Sequence, residues 1–411
     1  MSETILIRSA RVLTLTGDSP RRGSAMGELG VIEGGDVLVR DGIIDRVGAG
    51  LDAPAGARTI EADGRVLMPG FVDCHTHACW AGDRLDEWEL KQRGVSYLEI
   101  LHRGGGIMST VRSVRAASED ALVERLAERL EWMLREGTTT VEIKSGYGLD
   151  TATELKMLRA ITRAGRDWAG TVVPTACIGH AIDPEAGDAG AFVERTIRET
   201  LSAVHEAFPG VTIDAYCEQG AWSLADTVRL FEAALEHGHP VRVHADQFHA
   251  LGMVEEAVRL GAVSVDHLEA TESASLVNLA RSGTFGVMLP CSGFHLDGRY
   301  ANGRAFVDAG GALAIATNCN PGSAPCASVP MAVALAVRNL RLTAAEAIAA
   351  VTTNAASLLG FTDRGRIEPG ARADLVLLRW RDERQLGFEF GGSPADLVLC
   401  NGRIVTGGGV G

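Results

Sequence analysis

The chain has 411 residues, 46% of them hydrophobic, enough for a large core and more than one small domain needs. Acidic residues outnumber basic ones by 53 to 39, for a net charge of −14, and no Lys/Arg run is present. That balance argues against nucleic acid and anionic membranes as main partners, while leaving room for a small anionic substrate held by a local Arg. No run of about 18 apolar residues could span a membrane. The start, Met-Ser-Glu-Thr, lacks a charged n-region followed by an apolar stretch, so a cytoplasmic protein is expected. The eight Cys include no Cys-x-x-Cys pair and read as reduced thiols.

Residues 1–66 have an all-β texture. A short alternating run covers 4–15, and the strand-like segments 36–40 and 43–47 flank Asp41-Gly42, a strong two-residue hairpin signal. The end of the chain repeats the pattern, with strand-like segments at 373–378 and 397–400 and the turn Asn401-Gly402 before 403–405. Each end is too small to bury a core alone. The two are expected to join as a small β-sandwich domain of residues 1–66 and 366–411.

Between them, strands alternate with helices. Strands are expected at 71–73, 140–144, 171–176, 211–217, 241–244, 263–266, 285–289 and 312–316. Helical periodicity separates most of them. Over 118–136 it places Leu122, Leu126, Leu130, Met133 and Leu134 on one face; 194–208, 225–236 and 344–359 behave similarly. Eight strands with interposed helices predict an α/β fold, a (β/α)₈ TIM-like barrel over residues 67–365.

Chemistry in such a barrel sits at the C-terminal strand ends. The first strand, Phe71-Val72-Asp73, runs into Cys74-His75-Thr76-His77. Residues two apart on a strand share a side, so both imidazoles can aim at one point, and imidazole suits Zn²⁺ or Fe²⁺. By itself a His-x-His is also just two histidines at a strand end. The other strand ends decide the matter. The second carries Lys144-Ser145-Gly146-Tyr147-Gly148, the fifth His244-Ala245-Asp246-Gln247, the sixth Asp266-His267-Leu268-Glu269, and the eighth Thr317-Asn318-Cys319-Asn320-Pro321-Gly322-Ser323.

These segments, with Gly82-Asp83-Arg84, Tyr97-Leu98-Glu99-Ile100, Gly104-Gly105-Gly106-Ile107 and Gly179-His180-Ala181, resemble the amidohydrolase superfamily, and within it the imidazolonepropionase family. The match runs in order along nearly the whole chain. Residues 69–77 and the late Gly370-x-Arg372-Ala373-Asp374 indicate only the superfamily; Lys-Ser-Gly-Tyr-Gly-Leu and Asn-Pro-Gly-Ser are more particular. The resemblance implies hydrolysis of 4-imidazolone-5-propanoate to N-formimino-glutamate with one Zn or Fe ion. It implies His75, His77 and His244 as metal ligands, with position 318 as the fourth. Substrate contacts would come from Arg84, Tyr97, Tyr147, His180, Gln247, Asn320, Gly322 and Ser323. His267 would be catalytic, with His180 and Gln247 assisting.

Physically, opening a cyclic amide needs an activated water and a polarised carbonyl, both within the reach of metal-assisted chemistry. Arg84 offers a planar fork for the propanoate tail, although it also reads as a surface charge. Lys144 could bridge two metals if carbamylated, but its Ser-Gly-Tyr-Gly context matches the single-metal family. His102, His205, His237, His239, His249 and His295 match no motif and are assigned to surface or core.

One departure stands out. The family has an aspartate where this chain has Asn318, a neutral and poorer ligand that cannot accept a proton from water. Position 247 is Gln rather than Glu, an accepted variant that supplies no base either. A heterocycle deaminase and an impaired binding protein with an intact pocket are therefore carried as alternatives. A homodimer is carried as an expectation.

Overall fold

The structure is a computed structural model and describes residues 4–95, 99 and 105–407. Strands β1 (Ile5–Leu13), β2 (Val31–Arg40), β3 (Ile43–Gly48), β4 (Arg58–Glu61) and β5 (Val66–Pro69) come from the first chain end. The second end supplies β14 (Leu375–Leu378), β15 (Ala395–Cys400) and β16 (Arg403–Gly407). All eight are hydrogen-bonded into one mixed sheet, in which β14 pairs antiparallel with β5. Both Asp-Gly and Asn-Gly signals are two-residue hairpin turns, with left-handed φ at Asp41, Gly42, Asn401 and Gly402, as a type I′ turn requires. The two turns abut: a Cβ on Gly402 would lie 2.7 Å from the Gly42 Cα.

The barrel consists of β6 (Phe71–Asp73), β7 (Thr138–Lys144), β8 (Thr171–Gly179), β9 (Thr212–Cys217), β10 (Val241–Ala245), β11 (Ser264–His267), β12 (Phe285–Met288) and β13 (Leu313–Ile315). They form eight parallel strands in sequence order, one for each strand expected from the sequence. β5 belongs to the mixed sheet, so the change of sheet falls at Gly70, later than the expected boundary at 66. The apolar run on either side of Gly70 is nearly continuous, so its pattern cannot show where one sheet ends. Gly70 is required at the crossing, because a Cβ there would meet the Thr139 hydroxyl at 2.3 Å.

β6 and β13 are the two ends of the sheet and do not pair with each other, and the seam between them is bridged beyond the strand ends. Thr317 donates to the Asp73 carboxylate through both its N–H (3.1 Å) and its hydroxyl (2.6 Å). Asn318 N–H donates to the His75 carbonyl at 3.1 Å, and His77 N–H to the Cys319 carbonyl at 2.9 Å. The seam therefore ties the His-x-His segment to the Asn318 segment by main-chain bonds.

Helix Glu119–Arg135 is capped by Ser118 and buries the five residues that its periodicity selects. Two other helices differ from expectation. The 194–208 helix begins earlier, as Ala189–Arg195, and passes through a π-turn at Thr196–Thr200 into Leu201–Ala207. The 344–359 helix is broken into Ala344–Ala350 and Thr353–Leu358. The break has a tertiary cause: the Val351 carbonyl accepts from Val72 of β6 at 2.8 Å, and the β-branched run Val351-Thr352-Thr353 favours helix weakly.

Candidate metal and substrate site

β6 delivers His75 and His77, and β10 delivers His244. Their imidazoles converge in one buried group whose ligand atoms all lie within 4.8 Å of one another. Two of the rings are oriented from behind. His75 donates its Nδ1–H to Asp266 at 2.6 Å, and His244 donates to Asp214 at 3.0 Å. These bonds place the lone pairs on the Nε2 atoms. The His77 and His244 Nε2 atoms face each other at 3.0 Å, and His75 Nε2 is buried with no hydrogen-bond partner. Burial first, and then neighbouring positive groups, hold the His75 and His77 pKa values well below the usual range, favouring the neutral, ligating form. Buried lone pairs turned toward one another fit a divalent cation, and carboxylates behind metal-binding histidines are the usual supporting arrangement.

Beneath the histidines lies a charge network buried on every side. Lys144 Nζ is 2.8 Å from Glu142 and 2.7 Å from Asp214. Arg242 is 2.6 Å from Asp266 and donates to the Cys74 carbonyl at 2.9 Å. Asp214 and Asp266 thus each join a buried cation to an imidazole. Lys144 is an ammonium committed to two carboxylates, which leaves no amine to carbamylate.

Above the histidines a cavity of about 530 Å³ opens at the C-terminal end of the barrel. Arg84, Tyr147, His180, Gln247, His267, Asn318, Asn320, Gly322 and Ser323 all line it with His77 and His244. A family model described as "Amidohydrolase family" matches residues 66–405. Imidazolonepropionase from Herpetosiphon aurantiacus is 46% identical over 399 residues, covering 94% of this chain and 93% of that protein. Its counterpart from Deinococcus radiodurans is 44% identical over 405 residues, covering 98% and 100%. The chain belongs to the imidazolonepropionase family of amidohydrolases. The family's fold extends to distant solved structures: 5-methylcytosine deaminase from Klebsiella pneumoniae superposes with a TM-score of 0.74 at 17% identity, covering 99% and 98% of the two chains.

The residues expected at the substrate side have distinct local causes here. His180 stacks on His77, with ring centroids 4.7 Å apart, and donates Nδ1–H to the Gly146 carbonyl at 2.8 Å. Its Nε2 is therefore an acceptor. Gly146 has φ of +113°, and a Cβ there would strike His180 Nδ1 at 2.8 Å, so the Ser-Gly-Tyr motif needs its glycine. Gln247 accepts from the Tyr216 hydroxyl at 2.8 Å, which leaves its amide N–H groups as donors. His267 donates Nδ1–H to Glu269 at 3.2 Å, and both His267 and Leu268 hold positive φ, 89° and 72°. Such backbone is strained for non-glycine residues and clusters at functional sites.

Arg84 is not a free fork. Its Nε donates to Glu87 at 2.7 Å, and Nη2 lies 2.6 Å from the same oxygen. Only the Nη1 side remains toward Gly322, where a Cβ would come within 2.7 Å of it. Asn320 also differs from a simple substrate contact. Its side-chain oxygen accepts from the Gly322 and Ser323 N–H groups at 2.8 and 2.7 Å, and its Nδ2 donates to the Asn318 carbonyl at 2.7 Å. Its amide is committed to shaping the loop. Tyr97 and His102 lie outside the described residues.

Sequence reasoning left several residues out. His295, assigned above to surface or core, lines the cavity, as do Trp88, Lys91 and Tyr216. Asp214, Asp266 and Arg242 carried a weak signal, since each is a charged residue inside an apolar barrel strand, where an unpaired charge would be costly. Lys91, in the helix Leu85–Gln92, brings a second positive charge to the mouth. All eight cysteines are free thiols, and no helix among the described residues is long and apolar enough to cross a membrane.

Proposed function

We propose that the protein hydrolyses 4-imidazolone-5-propanoate to N-formimino-L-glutamate, a ring-opening step of histidine degradation, as a cytoplasmic enzyme with one divalent ion, Zn²⁺ or Fe²⁺. The supporting observation is that His77 and His244, two of the three grouped histidines, share one cavity with Arg84, Tyr147, His180 and Gln247. His75, His77 and His244 would hold the ion, with the Asn318 oxygen as fourth ligand. When bound, the ion acidifies a water and polarises the amide carbonyl.

The residues do the rest. Arg84 Nη1 and Lys91 attract the propanoate carboxylate, and the Arg84–Glu87 pair fixes the guanidinium plane. His180 Nε2 accepts a ring N–H of the substrate, and the Gln247 amide donates to the ring. Gln247 and Asn318 are neutral, and the acidic residue lining the cavity, Asp297, is paired with Arg299 at 2.7 Å. The base is therefore His267, whose tautomer is held by Glu269. Its Nε2 takes the proton as the water oxygen bonds to the carbonyl carbon. The same proton goes to the ring nitrogen as the C–N bond breaks.

The deciding assay follows ring opening of imidazolone propanoate alongside ammonia release from a panel of aminoheterocycles. Ammonia from a heterocycle without ring opening would replace this reading with a deaminase. Arg84→Lys keeps the charge but loses the planar end, so KM should rise several-fold with a smaller change in kcat. An unchanged KM for the anionic substrate in Arg84→Ala would remove Arg84 as the anchor.

Asn318→Asp should tighten metal binding and raise kcat at least about tenfold, since base assistance is typically worth ~10²–10⁴-fold. Backbone strain does not oppose the change, because Asn318 has φ of 56°, a conformation Asn and Asp both tolerate. Metal occupancy and turnover equal to or below wild type would show that the site is built around the amide.

A further inference from the structure

Asn318 differs from a carboxylate in having two unlike ends. Its oxygen can ligate a cation; its NH₂ group repels one. The structure distinguishes them. Nδ2 donates to the Ser292 hydroxyl at 2.7 Å, while Oδ1 is buried with no hydrogen-bond partner, on a residue lining the same cavity as His77 and His244. Ser292 is itself buried, near the start of the short helix Pro290–His295 after β12. The Asn318 backbone is fixed independently by its N–H bond to the His75 carbonyl. With main chain and NH₂ both held, the oxygen is the end left for a ligand.

We propose that Ser292 is a positioning residue that makes Asn318 usable as a neutral oxygen ligand: by accepting the amide N–H it selects the amide orientation that presents Oδ1. This rests on the metal-site reading above and adds a requirement particular to an amide at position 318. A carboxylate has two equivalent oxygens and no wrong way round, so it does not need the serine for that purpose. A hydroxyl can donate to a carboxylate as readily as it accepts from an amide, so Ser292 fits either residue. Its removal has different consequences in the two cases. Beside the native amide it leaves a buried NH₂ unpaired whenever the oxygen is bound, which carries the penalty of an unsatisfied donor. Beside the carboxylate of the Asn318→Asp variant it withdraws a hydrogen bond from an anion, which makes that anion a stronger ligand.

The test is a cycle of four proteins: wild type, Ser292→Ala, Asn318→Asp and the double variant. Zn²⁺ affinity is measured by competition with a chromophoric chelator, and thermal unfolding of the metal-free proteins serves as the control. Ser292→Ala should weaken Zn²⁺ binding about tenfold or more in the wild-type background, the size expected for an orphaned buried donor. In the Asn318→Asp background the same change should leave affinity within about twofold, or tighten it. An equal loss in both backgrounds, or none in either, overturns the proposal and makes Ser292 ordinary packing. Wild-type protein that binds no Zn²⁺ at all would instead overturn the metal-site reading beneath it.

Discussion

His75→Ala and His244→Ala should each reduce bound metal to background and abolish turnover. The proposed ligand set offers no negative charge, only three imidazole nitrogens and an amide oxygen. Retention therefore depends on ligand number and on the carboxylates behind the rings, and two imidazoles with an amide form a weak site. The fold should survive. After loss of His75, Asp266 keeps Arg242 at 2.6 Å and the Ser264 hydroxyl at 2.6 Å, so no buried charge is orphaned. After loss of His244, Asp214 keeps Lys144 at 2.7 Å. Elemental analysis of the purified variants, with thermal unfolding beside it, checks both halves. Wild-type metal content in both variants would sink the assignment.

His267→Gln should lower kcat by about 10²–10⁴-fold while metal content stays at the wild-type level. The separation of the two readouts is the informative part. His267 is outside the three-histidine group, yet its ring centroid is 5.6 Å from that of His244 and 6.2 Å from that of His75, which sets it beside the proposed metal site. With Asn318 and Gln247 both amides, and His180 Nε2 assigned to the substrate ring, His267 is the imidazole proposed to take the proton, and its Nδ1–H bond to Glu269 keeps Nε2 available. Gln preserves a polar side chain of similar reach but cannot carry the proton. Single-turnover measurement on metal-replete protein isolates the chemical step. A rate within a factor of a few of wild type would move the proton transfer elsewhere.

The barrel was legible because its cause is local. Eight apolar runs separated by amphipathic helices can bury their surfaces only as a parallel sheet wrapped by helices, and the rule that places chemistry at the C-terminal strand ends follows from that layout. His75 and His77 could be paired from the sequence because a strand sends alternate side chains to one side. The hairpins at Asp41-Gly42 and Asn401-Gly402 follow from turn chemistry within two residues. The imidazolonepropionase motifs pointed to Arg84, Tyr147, His180, Gln247 and Ser323, which line the cavity, but not to Trp88, Lys91, Tyr216 or His295, which line it too.

Other features depend on contacts that residue types alone do not reveal, some of them far apart in the chain. The crossing at Gly70 is set by Thr139, and the break at Val351 by a bond from Val72. Arg84 is forked onto Glu87, and the Asn320 amide is spent inside its own loop; neither shows in a motif that records only residue types. The carboxylates behind His75 and His244 lie 191 and 30 residues away from them in the chain. Local sequence sets which side of a strand or turn a residue occupies, because that depends on backbone period alone. Which hydrogen-bond partner its polar atoms find is decided by folding, because a buried polar group must be satisfied by whatever the tertiary structure brings beside it.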